Sequence, residues 1–252
     1  MTSLAGLRAL VIGGGSGIGR AVADGAGDAG AQVGIIDLRV DDAPAGVTTS
    51  QVADATDAEA LDAAIGRVAE DLGGIDALVH TAGMHDGFAT IMELDPDDLA
   101  AAARRLLDVN LVSAMLSVRC AVPHLEASLA PSVTLTSSES GFGGRGGGPL
   151  YCASKWGIRG LVASLSTQLA PWLRVNGVAP GGVTGTGLRG IGDEDVVGAR
   201  PGRDEAIRDG TKLDVLIRPE DVAGAYLYLM SPTAAGTVTG TVVNVDGGRN
   251  TI

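Results

Sequence analysis

Residues 11–20 read VIGGGSGIGR, and this stretch decides the fold. It leaves an apolar, β-like run and enters an alanine-rich segment with helical spacing, so it is a strand-to-helix turn carrying spaced glycines, Gly13, Gly17 and Gly19. In such a turn one glycine permits unusual φ and another lets the backbone approach a pyrophosphate. The helix N-terminus that follows offers free N–H groups and partial positive charge. Gly15, Ser16 and Ile18 complete the loop. A glycine pattern alone is weak, because turns use glycine anyway; its context strengthens it.

That context is Asp37, at the end of the next β-like run and about twenty residues further on, where a carboxylate accepts hydrogen bonds from the ribose hydroxyls of NAD. A 2′-phosphate there would bring like charges together. Ser16 leaves the loop without the extra cation that a phosphate favours, although Arg39 partly compensates. The expected cofactor is therefore NAD rather than NADP, with Leu38 beside the acid. Asp54, followed by Ala55, is placed after the third run either to meet the adenine amino group or to serve as a turn or helix-capping aspartate.

Short apolar runs recur between longer helical segments, the pattern of βα units around a parallel sheet. Strands are expected at residues 8–12, 32–37, 48–52, 77–81, 132–137, 174–178 and 242–245, and helices at 17–29, 58–72, 97–128, 150–169 and 219–230. Pro219 opens its helix where a missing N–H matters least, and Pro123 is expected to kink or split the third helix. Continuously apolar strands imply helices on both sheet faces. The expected fold is a single α/β domain over residues 1–252, a doubly wound open sheet of about seven parallel strands flanked by helices. Two glycine-rich segments, 141–148 (GFGGRGGG) and 181–210, are read as irregular and placed over the pocket beyond the strands' carboxyl ends.

The chain of 252 residues carries a net charge of -12, which argues against a nucleic acid or an anionic membrane as partner. Two cysteines, Cys120 and Cys152, are too few for a disulfide framework and lack metal-ligand spacing, consistent with a reducing cytoplasmic location. The apolar opening runs into the glycine loop, so a cleavable leader is not expected. No uninterrupted apolar run reaches the roughly 18 residues of a spanning helix.

PLYCASKWG, residues 149–157, sets Tyr151 and Lys155 four apart at the start of a helix, so their side chains share a face. A free tyrosine and a free lysine titrate near 10 and 10.4. A nearby ammonium, joined in the complex by a positively charged oxidised nicotinamide, stabilises phenolate, so the lysine is expected to help make the tyrosine acidic enough to exchange a proton with an alcohol or carbonyl. Such a pair is often only a surface contact. Here TLTSSESG, at the end of the fifth strand, offers Ser138, placed to hydrogen-bond a substrate oxygen, and Asn110 in LLDVNLVSA is placed to bend its helix and hold a water on a proton path through Lys155.

Together GGGSGIG, HTAG, VNL with Asn110, Ser138, YCASK, RVNGVAPGG and VDGG resemble the short-chain dehydrogenase/reductase family in order and spacing along nearly the whole chain. The resemblance implies a Rossmann-type fold, a catalytic set of Asn110, Ser138, Tyr151 and Lys155, and a homotetramer that often uses two long helices of each subunit as interfaces. Thr81, Ala82 and Gly83 of HTAG are then expected beside the cofactor, with Pro180, Gly181 and Val183 lining the nicotinamide site. Of Thr184 and Thr186, Thr184 is assigned to the carboxamide. Ile12 and Thr81 depart from the usual threonine and asparagine, which implies altered loop support rather than lost chemistry.

GGGPLYCASKWGIRGLV, LAPWLRVNGVAPGG and LRG look like bacterial cis-dihydrodiol dehydrogenases, which oxidise a ring cis-diol to a catechol with NAD. The segment 184–214, expected to cover the substrate, departs from their pattern. The alternatives are a 3-oxoacyl thioester reductase, a hydroxysteroid or sugar-alcohol dehydrogenase, or a dinucleotide-sensing binding protein without turnover. His80 and His85, with Asp86 adjacent, are five apart across a loop and lack a third convincing ligand, so no metal site is expected. Glu139, Ser140, Phe142 and Leu188 are open between bordering substrate and packing.

Overall fold

The computed structural model describes residues 3–41, 43, 46–191 and 201–250. Its centre is a 7-stranded parallel sheet in the order β3-β2-β1-β4-β5-β6-β7. The strands are β1 (Arg8–Ile12), β2 (Gln32–Asp37), β3 (Thr49–Val52), β4 (Ala77–His80), β5 (Ser132–Thr136), β6 (Arg174–Pro180) and β7 (Val242–Val245). Alternation along β1 shows why both faces must be covered. Ala9 and Val11 enter one apolar core with α1 (Gly17–Asp28) and α7 (Pro219–Met230), whereas Leu10 and Ile12 enter the other, under α2 (Ala58–Leu72).

That second face also holds α3 (Pro96–Leu107), α4 (Ser113–Leu125) and α5 (Pro149–Gln168). The expected single helix at 97–128 is interrupted at a π-turn, Asp108–Val112, and not at Pro123, which sits inside α4 near its end. The bulge carries Asn110, whose buried side chain bonds outside the helix. By length and composition the rod Pro96–Leu125 matches a membrane span. It packs on α2 and α5, however, and carries Arg104, Arg105, Asp108 and Arg119. The segment 181–210, expected to be irregular, contains α6 (Arg203–Gly210), whose mean hydropathy is too low and whose length too short to announce a helix. Residues 192–200 of the expected substrate cover lie outside the described residues.

Strand order reverses between β1 and β4, and their carboxyl ends open the crevice in which such sheets bind ligands. At the opposite end, the Arg8 Nε and Nη2 groups donate to the Asp76 carboxylate at 2.8 and 2.7 Å, joining the starts of β1 and β4. Burial pushes the Asp76 carboxyl up, but the Arg8 hydrogen bonds and charge outweigh it and leave the group below the usual carboxylate range. A depressed carboxyl contributes stability that is present above its unfolded value and lost as pH falls through the folded one. Asp76→Asn is therefore expected to lower stability at pH 7 by about 1–2 kcal/mol. In urea melts across pH, the difference from the parent should shrink in acid.

Candidate active site

A cavity of about 1090 Å³ runs along the carboxyl ends of the strands, from Asp37 and Asp54 past the glycine loop to Ser138, Tyr151 and Lys155. The glycines make its floor close to the backbone. A Cβ on Gly13 would lie 2.6 Å from the Ala82 nitrogen, one on Gly15 3.0 Å from the Asp37 carboxylate, and one on Gly19 inside the Gly13 carbonyl. Gly13 and Gly17 also have positive φ, 83° and 52°, which side chains rarely adopt. The cradle thus admits main chain where any side chain would stand, and the N-terminus of α1 points into it through Ser16, Gly17 and Ile18.

Thr81 explains how this chain supports the loop without the asparagine usual at that position. Its hydroxyl, at the end of β4, donates toward the Ile12 and Gly13 carbonyls, 2.9 and 3.1 Å away. Ala82 and Gly83 continue the wall. On the other flank the Asp37 carboxylate accepts from the Gly15 N–H at 2.9 Å and the Arg39 N–H at 3.3 Å, keeping further lone pairs on the cavity side, with exposed Leu38 next to it. Asp54 faces the cavity but accepts from the Thr56 N–H and hydroxyl, both at 2.8 Å, so the turn role is present; Asp57, not Asp54, caps α2. Ala55 borders it.

Pro180, Gly181 and Val183 line the far end. Thr184 does not: its hydroxyl bonds Asp204 at 2.5 Å, and the threonine that faces the cavity is Thr186, over Gly17. On this geometry Thr186, rather than Thr184, is the candidate for a cofactor contact. Sequence could not separate the two, because glycines on both sides leave the direction of the chain open. The segment that follows straps over the mouth, with the His85 N–H donating to the Arg189 carbonyl at 2.8 Å and Arg105 to the Ile191 carbonyl at 3.1 Å. Leu188 lines the cavity. Phe142 instead lies under the Arg159 guanidinium, 3.9 Å from its ring centre, and Glu139 is buried against Arg249 at 2.8 Å.

At the chemical end, Asn110, Ser138, Tyr151 and Lys155 are all buried. Lys155 Nζ donates to the Thr136 carbonyl at 3.1 Å and lies 5.7 Å from the Tyr151 ring centre. Burial pulls the ammonium down to about 8 and pushes the Tyr151 phenol up to about 12. A hydrogen bond to Ser138 partly offsets the rise, while Glu139, Asp86 and Cys152 add to it. Desolvation, invisible in a helical spacing, outweighs the ammonium over the ring; the expected lowering combines Lys155 with the positive charge of an oxidised nicotinamide. The Asn110 side chain accepts from the Met84 N–H at 2.7 Å and donates to the Met84 carbonyl and the Ser154 hydroxyl at 2.9 and 3.0 Å. Its amide braces the β4–α3 connection to α5.

His80 and His85 do not converge. His80 sits between the Ser113 and Ser117 hydroxyls at 3.1 Å each, and burial first, then the Lys155 charge, pushes it down to about 3. The His85 ring stacks on Tyr151.

Comparison with known proteins agrees with this geometry. A family model described as enoyl-(acyl carrier protein) reductase matches residues 13–250. Cis-1,2-dihydrobenzene-1,2-diol dehydrogenase of Pseudomonas putida is 32% identical over 257 residues, 95% of this chain and 90% of its own. The chain belongs to the short-chain dehydrogenase/reductase family. Cis-2,3-dihydrobiphenyl-2,3-diol dehydrogenase of Rhodococcus globerulus is likewise 32% identical, over 95% of this chain and 88% of its own. Among solved structures, an aldohexose dehydrogenase of Thermoplasma acidophilum superposes with a TM-score of 0.85 at 29% identity, over 99% of this chain and 96% of the other. Members of the short-chain dehydrogenase/reductase family are nicotinamide-dependent oxidoreductases, and the glycine cradle, Asp37 and the buried lysine suit such a dinucleotide. If Thr186 faces that ligand, Thr186→Val should raise the dinucleotide KM about three- to tenfold. Thr184→Val should leave the KM unchanged, as steady-state assays would show.

Proposed function

We propose that this protein oxidises a secondary alcohol or diol with NAD, and that its substrate is an aromatic cis-dihydrodiol converted to a catechol. The observation that carries the reading is the burial of Ser138, Tyr151 and Lys155 in one cavity with the glycine cradle and Asp37. The names of the relatives at 32% identity support the diol. When bound, the oxidised nicotinamide supplies a hydride acceptor and a positive charge.

The chain's own groups do the rest. The glycine loop and the α1 N-terminus hold the pyrophosphate, and Asp37 accepts from the ribose hydroxyls and disfavours a 2′-phosphate. Ser138 hydrogen-bonds the reacting oxygen, and Tyr151 removes its proton. Lys155 contributes its charge and binds a ribose hydroxyl. Asn110 braces the site through Met84 and Ser154. Because the phenol lies high in the free protein, oxidation should rise with pH, with a midpoint that belongs to the coupled tyrosine and lysine.

A net charge of -12 opposes docking of an acidic carrier protein, which weighs against a thioester reductase despite the description of the family model. The rival is an aldose dehydrogenase, favoured by the structural similarity to the Thermoplasma enzyme. Incubation with NAD and a cis-dihydrodiol, read at the absorbance of reduced cofactor, should show turnover with a lower KM for NAD than for NADP. Tyr151→Phe should lower kcat at least about 100-fold while leaving NAD affinity nearly intact. Turnover of an aldose but no cis-dihydrodiol would select the rival, and full activity of Tyr151→Phe would remove the tyrosine from the mechanism.

We further propose a cytoplasmic homotetramer. Leu107, Val112 and Met115 on the α3–α4 rod and Trp156 on α5 expose apolar surface on neighbouring helices, the face a second copy would cover. Light scattering of Met115→Glu should show dissociation relative to the parent.

A further inference from the structure

The first turn of α5 presents backbone N–H groups that no residue of its own helix can satisfy. Its N-cap is Gly148, which offers no side-chain oxygen, and Pro149 follows. The missing cap comes from another part of the chain. Asp86, in the loop after β4, has a fully buried side chain; one carboxylate oxygen accepts from the Gly148 N–H at 2.9 Å and the Phe88 N–H at 3.1 Å, and the other accepts from the Tyr151 N–H at 2.9 Å. A carboxylate at a helix N-terminus with three N–H donors is held in a strong, charge-assisted arrangement.

Neighbouring residues are shaped around this contact. A Cβ on Gly148 would lie 2.6 Å from the Asp86 carboxylate and one on Gly147 would strike the Tyr151 ring, while Gly146 takes a φ of 83°. His85 completes the enclosure. Its Nδ1 accepts from the Gly87 N–H at 2.9 Å, which puts its proton on Nε2, facing the Gly146 carbonyl at 2.8 Å, and its ring lies 4.4 Å from the Tyr151 ring centre. The tyrosine is thus gripped at its backbone by a charge and at its ring by the His85 imidazole, both from one loop.

We propose that Asp86 is a positioning residue for the reaction: an anionic cap supplied across the fold that fixes Tyr151 in the cavity. The inference rests on the reading of Tyr151 as the proton-exchanging group. It gives the glycine run 146–148 a role that a covering loop does not require. The groups that face the phenol are Ser138 and Glu139 from the turn after β5, Asp86 and His85 from the β4–α3 loop, Cys152 and Lys155 on α5 itself, and Tyr226 on α7. Among these, the Asp86 side chain joins its charge directly to the Tyr151 N–H. Removing its negative charge favours phenolate, so the midpoint of oxidation should move toward lower pH.

The test compares Asp86→Asn with the parent and with Tyr151→Phe on whichever alcohol the parent turns over. Asp86→Asn is expected to keep NAD affinity, lower kcat about 10- to 100-fold and shift the pH midpoint down by about half a pH unit. A merely structural role would lower the amount of folded enzyme without moving that midpoint. An unchanged kcat and midpoint in Asp86→Asn, with Tyr151→Phe inactive, overturns the inference while leaving the proposed function standing; an active Tyr151→Phe overturns the function itself. Should Asp86→Asn not fold, amide hydrogen exchange of the parent decides. The Tyr151 N–H should be protected although it lies in the first turn of α5, and exchange at the rate of an open amide would refute the cap.

Discussion

Parallel strands buried on both faces leave a protein of this kind one place to do chemistry. The faces of β1 and β4 are largely sealed by two apolar cores, so the polar side chains that can meet a ligand gather past the strand ends. Where strand order reverses between β1 and β4, helices depart to opposite sides and the ends part into a cleft. The Thr81 hydroxyl holds that junction by bonding the carbonyls that close β1. The glycine cradle, the acid that ends β2 and the tyrosine of α5 all take their places from this one constraint.

The cleft has two ends with different electrostatics. At one, Asp37 and Asp54 remain open enough to meet hydroxyl and amino groups of a ligand. At the other, Tyr151 and Lys155 are buried almost completely, and desolvation moves each toward its neutral form. Lys155, held near 8, keeps its proton at neutral pH, whereas the phenol ionises there only when a further charge or hydrogen bond arrives. A dinucleotide-dependent enzyme can use that property to keep proton transfer waiting until its reactants are together.

Helix α5 shows how distant segments build a local structure. Its start lacks a capping side chain, its third residue is the tyrosine, and the missing acceptor lies in a loop far upstream. The same loop gives Met84 to Asn110 and the His85 N–H to the strap over the cavity mouth. Residues 84–88 therefore join the π-turn, the covering segment and the reacting helix, although the sequence there shows no motif.

The sequence by itself determined what depends on local period and residue type: the strands and most helices, the glycine loop, Asp37 as the acid beyond it, and Tyr151 with Lys155 on one helix face. These were legible because glycine, β-branched runs and i,i+4 spacing act within a few residues. Tertiary structure decided the rest. Desolvation raised the phenol, Thr186 rather than Thr184 faced the cavity, the long helix broke at Asn110 rather than Pro123, and Asp86 reached the start of α5. Each of these depends on what packs against a residue from elsewhere in the chain, and burial and long-range hydrogen bonds leave no periodic trace in sequence.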